Sequence, residues 1–333
     1  MYEELGETTL RSGETVQTGM VVAPDLEWAE RIEGLLAHKG EPWNWQVSQA
    51  LRSKLAIEVR FCVLHRHGRP ISNAMTAELA GVGVLGHVWT NPEDRRKGAM
   101  SRLMTLQMDD FRARGGKALF LGTEFGSAPH QIYGRFGFRS VEDKSGCMEY
   151  YAASQEEFEA AYFAKGEADI GVLDWSHWPS SPALFMGGFP GVVRCAPLKL
   201  FGRASTEGPL LSLLRDETRR REEGKELRSV ALQSKGSGAV VGLAVWGHDP
   251  LWPDTCVVDV YCHPDYWDRG CDLLSALSLP GADRCVAYGD PTCGAKMEVL
   301  RAAGFRGAGT SSNRLAADAA RTGFVDVITF ERP

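Results

Sequence analysis

An internal repeat narrows the folds open to this chain. Asn91-Pro92-Glu93-Asp94-Arg95-Arg96-Lys97-Gly98 is echoed by His263-Pro264-Asp265-Tyr266-Trp267-Asp268-Arg269-Gly270. Both stretches run Pro, acid, basic residue, Gly. Each follows a strand-like apolar run and precedes a Leu-rich helical one. A further strand and helix then lead to Gly137-Phe138-Arg139 and to Gly304-Phe305-Arg306. Two landmarks in the same order predict a tandem duplication of one α/β unit. The 333 residues allow it, being about two domains of roughly 150.

Charge and cysteine usage then exclude partners. Lys plus Arg number 37 against 43 for Asp plus Glu, a net charge of −6, so there is no net positive field to draw a polyanion and nucleic acid is not an expected partner. At 44% hydrophobic and 24% charged residues the chain has an ordinary globular composition, which excludes extensive disorder. The start, Met1-Tyr2-Glu3-Glu4-Leu5-Gly6-Glu7, lacks a basic n-region and apolar h-region, and no run approaches the roughly 18 apolar residues of a membrane span. A cytoplasmic protein with no membrane partner is the expectation. The eight cysteines form no Cys-x-x-Cys pair, and five follow residue 250 among apolar neighbours. That pattern suits reduced core thiols, with no metal site and no disulfide expected.

Periodicity divides the chain further. Residues 1–19 are polar and read as a frayed leader or edge strand carrying little function. Leu26, Trp28, Ala29, Ile32, Leu35 and Leu36 are spaced for a helix that Gly40 stops, and 43–55 is a weaker helix. Strands follow at 58–65, 71–79 and 82–90. Met100, Leu103, Met104, Gln107, Met108 and Phe111 form a helical apolar stripe after Asn91-Pro92. A strand at 117–122, a helix at 129–136 and a strand at 147–152 close a first domain over 20–152. Residues 153–195 read as a docked connector, and 196–333 as a second domain opening with a helix at 210–221.

Arg95-Arg96-Lys97-Gly98-Ala99-Met100-Ser101 lies at a strand-to-helix turn, where backbone N–H groups and the helix dipole favour an anion and Gly98 permits close approach. A phosphate or pyrophosphate is the natural guest, with three adjacent cations to attract it. Strand, Arg95-x-x-Gly98, helix, strand and Tyr133-x-x-x-Gly137-Phe138 together resemble the GNAT superfamily of acyl-CoA-dependent N-acyltransferases, over about 82–138. The resemblance implies tandem mixed sheets, mostly antiparallel and flanked by helices, and acetyl-CoA as co-substrate. Its pyrophosphate loop maps onto Arg95, Arg96, Lys97, Gly98, Ala99 and Met100, with Ser101 following. Met100 departs from the usual Gly or Ala, and its side chain must turn away from the cofactor. Trp89 and Thr90 resemble the splayed strand that runs beside the pantetheine arm. Tyr133 stands where the family often keeps an acid for the departing thiolate. A phenol near pKa 10 stays protonated beside a thiol near 8.5 and can donate, by about their reference values.

The base is less defined. Glu124, just past the 117–122 strand, is the first candidate, with His87 and His130 as alternatives titrating near neutrality. Trp43 and Trp45 either line the acceptor side with an aromatic wall, with His87 beside them, or belong to the core. In the second half, Trp267 stands for Arg95, Asp272 for Met100 and Leu300 for Tyr133. A carboxylate at that helix start repels an anion and Leu300 cannot donate a proton, so a second active site is not expected. The second half then narrows the acceptor pocket or supports a homodimer. The resemblance implies a metal-free N-acetyltransferase acting on a small-molecule amine, the acidic residues suiting a cationic one. The competing reading is a non-catalytic acyl-CoA-binding regulator or scaffold.

Overall fold

Asp25 accepts hydrogen bonds from the backbone N–H groups of Glu27 and Trp28, satisfying two of the orphan donors at the start of the first helix. The structure, a computed structural model, describes residues 1–252, 254–282 and 284–332. Two compact units divide it: Met1–Arg139 with Glu149–Ser154, and Ser140–Met148 with Gln155–Pro333.

The polar start of the chain is folded. β1 (Tyr2–Thr9) and β2 (Thr15–Val22) form an antiparallel hairpin, and β2 pairs onward with β3 (Glu58–Arg66). Val16 and Met20 of β2 are buried against Cys62, Leu64, Ile71 and Leu103, so the alternation that looked merely polar has one core face. Between β2 and β3 come α1 (Leu26–Leu36) and α2 (Trp43–Arg52). After β3 come β4 (Arg69–Leu79) and β5 (Val82–Thr90). Then follow α3 (Ala99–Ala113), β6 (Ala118–Gly122), α4 (Ala128–Arg135), β7 (Arg139–Ser140) and β8 (Cys147–Tyr151). The sheet order is β1-β2-β3-β4-β5-β6-β8-β7. α3 is the crossover between β5 and β6, which are parallel, as such connections require. It buries Leu103, Met104, Gln107, Met108 and Phe111.

Two irregularities in β5 shape its C-terminal end. Asn73 faces Trp89 while Met75 faces Gly86, so two steps on β4 oppose three on β5, a β-bulge. His87 sits in it at φ +50°, and Asn73 Nδ2 donates to the His87 carbonyl at 3.0 Å. On the other side the ladder to β6 holds only from Val82–Ala118 to Val84–Phe120. Beyond that β5 runs on to Thr90 and the two strands part.

The second unit opens with α5 (Gln155–Tyr162), β9 (Ala168–Val172), α6 (His177–Met186), β10 (Val193–Cys195) and β11 (Leu200–Phe201). Next come α7 (Glu207–Glu222), β12 (Ser229–Ser234), β13 (Val240–His248), β14 (Thr255–Cys262) and α8 (Gly270–Ala276). β15 (Arg284–Gly289), α9 (Gly294–Ala302), β16 (Arg306–Ala316) and β17 (Phe324–Arg332) complete it. Its sheet order, β9-β12-β13-β14-β15-β17-β16, repeats β2-β3-β4-β5-β6-β8-β7 strand for strand, with β14 and β15 the parallel pair. The chain is therefore a tandem α/β protein built on two mixed sheets flanked by helices. Residues 153–195, read from sequence as a connector, supply α5, β9 and α6, and β9 hydrogen-bonds to β12. No helix among the described residues is long and apolar enough to cross a membrane.

Candidate functional site

The turn from β5 into α3 is built around a buried carboxylate. Asp94, with 1% of its side chain exposed, accepts from Arg66 at 2.7 and 3.0 Å and from Lys97 Nζ at 3.0 Å. The Arg66 guanidinium, with Lys97 beside it, holds the Asp94 carboxyl down at about 2. Glu14, in the β1–β2 turn, grips the same guanidinium at 2.5 and 2.8 Å. The neighbouring Arg11 N–H donates to the Lys97 carbonyl at 2.9 Å. The leader expected to carry little function is thus one wall of the turn. Nothing in the local pattern of 1–19 signals this, because the contact spans about eighty residues of sequence.

Within this frame Arg96 takes φ +64° and Gly98 φ +87°. Gly98 is the N-cap of α3 and offers no side-chain acceptor, so the first N–H groups of the helix remain for a guest. A Cβ at Gly98 would lie 3.5 Å from Arg11, ordinary contact. Glycine is needed here for its left-handed backbone and not for space.

A cavity of about 590 Å³ opens on this turn, lined by Arg11, Trp89, Arg95, Gly98, Met100 and Tyr133 among others. Arg95 lies with its guanidinium 4.4 Å over the Trp89 ring and donates from Nε to the Thr90 carbonyl at 3.1 Å. That cation–π contact holds a charge at the cavity without neutralising it. His38 packs against the same indole at a tilt of 35°, ring centroids 3.7 Å apart, and burial, more than Lys39 beside it, pushes its pKa down. Ser72 Oγ bonds Thr90 Oγ1 at 2.6 Å and donates to the Trp89 carbonyl at 2.8 Å, fixing the parted end of β5. Thr90, Arg96, Ala99 and Ser101 line the cavity too. Lys97 is the exception among the expected cations, since it turns to Asp94. Met100, expected to turn away, is half-buried and lines the cavity.

Tyr133 enters from α4, buried, its ring 6.1 Å from Phe138. Ser127 caps that helix by accepting from the His130 N–H. His130 is half-buried on the same helix. Glu124 lies beyond β6, exposed, and is not among the cavity residues. His87 is buried at the bulge, with Nε2 2.7 Å from Gln46 Oε1. Burial, with smaller help from Lys39 and His38, pushes it down to about 3, so it is neutral at physiological pH. This corrects the expectation that His87 titrates near neutrality. Trp43 meets it edge-on at 5.7 Å, and Trp45 is half-buried on α2. Sequence reading missed Arg11, Asp94, Ile132 and Arg135 as site or frame residues. Only Asp94, inside the repeated motif, left a signal.

The counterpart in the second unit is a different object. Residues Pro264–Arg269 are wound into a 3-10 helix, and Gly270 continues it at φ −63°. Arg269 is paired with Asp272 at 2.8 Å. Leu300 is fully buried.

Comparison with known proteins bears on this first site. The family model described as acetyltransferase (GNAT) domain matches residues 75–141. No curated protein gives a significant match. Among solved structures, an N-acetyltransferase from Staphylococcus aureus Mu50 is 17% identical with TM-score 0.37, over 50% of this chain and 98% of that one. A GNAT-family acetyltransferase from Bacillus anthracis is 15% identical with TM-score 0.35, over 50% and 96%. The Salmonella typhimurium protein yncA, in a structure with its cofactor acetyl-CoA, is 16% identical with TM-score 0.36, over 50% and 94%. The likeness to a GNAT acetyltransferase domain therefore rests on residues 75–141, which include the turn from β5 into α3 and Tyr133.

Proposed function

We propose that the first unit is an acetyl-CoA-dependent N-acetyltransferase for a small-molecule amine, with Tyr133 as general acid. The observation that carries this reading is the cavity that gathers Arg95, Arg96, the open N-terminus of α3 and the Tyr133 side chain beside a strand that has parted from its neighbour. The residues fit the cofactor: cations and uncapped N–H groups for a pyrophosphate, parted backbone for an amide-bearing arm, and a hydroxyl for a thiolate. Bound there, the thioester supplies an activated acetyl group. Arg95 and Arg96 attract and orient the phosphates, and the N–H groups of Ala99, Met100 and Ser101 bind them. Lys97 acts through Asp94, keeping the turn in shape. Trp89 and Thr90 line the arm's path, and Tyr133 holds the proton that the leaving sulfur requires.

On the acceptor side, neutral His87 with Trp43 and Trp45 forms a wall that binds rather than titrates. Glu124, exposed past β6, is the carboxylate proposed to take the amine's proton through solvent. The test is calorimetric titration of acetyl-CoA into wild type, followed by turnover of an amine panel by wild type and Tyr133→Phe. About one site per chain and a kcat about 10² to 10⁴ lower in the variant at unchanged cofactor affinity support the reading. Wild-type turnover in the variant removes Tyr133 from the mechanism. Binding without turnover of any amine favours the scaffold reading.

A further inference from the structure

In the second unit the gap between the parallel strands is closed by the chain itself. The β14–β15 ladder ends at Val257–Val286, the step at which β5 and β6 part. Beyond it lie three charged side chains, Asp259, Asp290 and Lys296, each 0% exposed. All three grip residues 190–196. Asp290 Oδ2 accepts from the N–H groups of Val192 at 2.9 Å and Val193 at 2.7 Å. Asp259 Oδ2 accepts from Ala196 N–H at 2.7 Å. Lys296 Nζ donates to the Val193 carbonyl at 2.8 Å and pairs with Asp259 Oδ1 at 2.5 Å. The Tyr261 hydroxyl donates to the Pro190 carbonyl at 3.0 Å.

These partners surround the gap. Asp259 and Tyr261 belong to β14, Asp290 directly follows β15, and Lys296 sits on α9, the counterpart of the helix that carries Tyr133. The gripped segment comes from the α6–α7 connection. Its counterpart between α1 and α2 is a short turn whose His38 stops at Trp89. Buried charges without partners are costly, as are buried backbone groups without a ladder. Here each satisfies the other.

We propose that the second unit is self-liganded: residues 190–196 fill, as an intramolecular peptide, the crevice that stays open in the first unit, and Asp259, Asp290 and Lys296 are its receptor. The contrast with an open, acyl-CoA-binding crevice rests on the function proposed above, but the filling of this one does not. A buried ion pair joined to backbone amides recognises an extended peptide and leaves no room for the coenzyme's amide-bearing arm, so the chain takes one coenzyme and not two.

Hydrogen exchange on the full chain tests this, read at 189–197, 258–272 and 98–102 with and without acetyl-CoA. The Val192, Val193 and Ala196 amides should exchange about 10³-fold or more slower than in an open loop, as protected core amides do, and acetyl-CoA should not alter them. Asp290→Ala should speed Val192 and Val193 by about tenfold or more and leave 98–102 as in wild type. Fast exchange at 190–196 in wild type overturns the proposal, as does slowing at 258–272 on adding acetyl-CoA. Unchanged Val192 and Val193 rates in Asp290→Ala remove Asp290 from the receptor. A failure of 98–102 to respond to acetyl-CoA counts against the first unit's proposed function alone, because the 190–196 rates decide self-liganding without it.

Discussion

The turn after β5 and the turn after β14 begin from nearly the same residues and end as different objects. β5 carries one bulged residue that β14 lacks, the β13–β14 ladder running without a shift. Gly98 is left-handed and Gly270 is helical. Arg95 lies over an indole at a cavity, whereas Trp267, at its place in the repeat, carries no charge. Strand order and crossover are the same in both. The comparison teaches that this fold tolerates loss of its crevice, and that an open crevice depends on a few strained backbone positions held by neighbours such as Asp94 and Arg66.

The most disruptive way to break the comparison is to give β5 the length of β14. Deleting Val88 should shift Trp89 and Thr90 to the opposite face of the strand, because side chains alternate with a period of two. Acetyl-CoA binding should be lost in calorimetry, while circular dichroism reports retained sheet and helix. Binding within a few-fold of wild type would show that the bulge does not set the crevice. Next in size is Tyr133→Phe, with its loss of about 10² to 10⁴ in kcat. The mirror change, Leu300→Tyr, should leave kcat and KM unaltered, and a gain of activity from it would mean that the second unit works.

Much of this contrast is legible in the sequence. The repeated Pro-acid-basic-Gly motif carries the duplication, and the Trp267, Asp272 and Leu300 replacements mark where the second unit departs from the first. The stripe from Leu103 to Phe111 gives α3 its buried face. What stays hidden is long-range. The bulge is a one-residue difference between two pairing strands, visible only against β4. Arg11 reaches Lys97 across most of a domain, and residues 190–196 meet Asp290 and Lys296 from about a hundred residues away. In each case a polar group is satisfied by a partner that no local period announces. Lys97 misleads for the same reason: its charge looks available in the sequence, and in the fold Asp94 lies beneath it.

The two glycines separate strain from space. At Gly98 a Cβ has room but φ is +87°, so Gly98→Val should cost about 1 to 2 kcal/mol in backbone strain and weaken acetyl-CoA binding about tenfold. At Gly270 φ is ordinary, but a Cβ would meet Val299 at 2.8 Å. Gly270→Ala should therefore lower stability by about 1 to 3 kcal/mol through overpacking and leave the acetyl-CoA Kd unchanged. Thermal unfolding paired with calorimetry distinguishes the two. If Gly270→Ala weakens binding as much as Gly98→Val, the units are coupled and the contrast drawn from each alone fails.

The smallest effect concerns the bulge residue itself. Folded His87 is pushed down to about 3 from an ordinary 6.5, so between those values the unfolded chain holds a proton that the native state lacks. Stability contributed by neutral His87 is complete above pH 6.5 and is lost as pH falls toward 3. At pH 5 that loss amounts to about 2 kcal/mol, by the linkage of 1.36 kcal/mol per pH step. His87→Asn, which tolerates a left-handed backbone and does not titrate, should keep more of its pH 7.5 stability at pH 5 than wild type does. The check is the shift in urea midpoint between the two pH values in both proteins, since His38, His65 and His263, also lowered by burial, contribute equally to each. Equal shifts would mean that folded His87 takes up its proton at the same pH as the unfolded chain. The ring would then be cationic at pH 5, and burial at the bulge would not be what keeps the acceptor-side wall neutral.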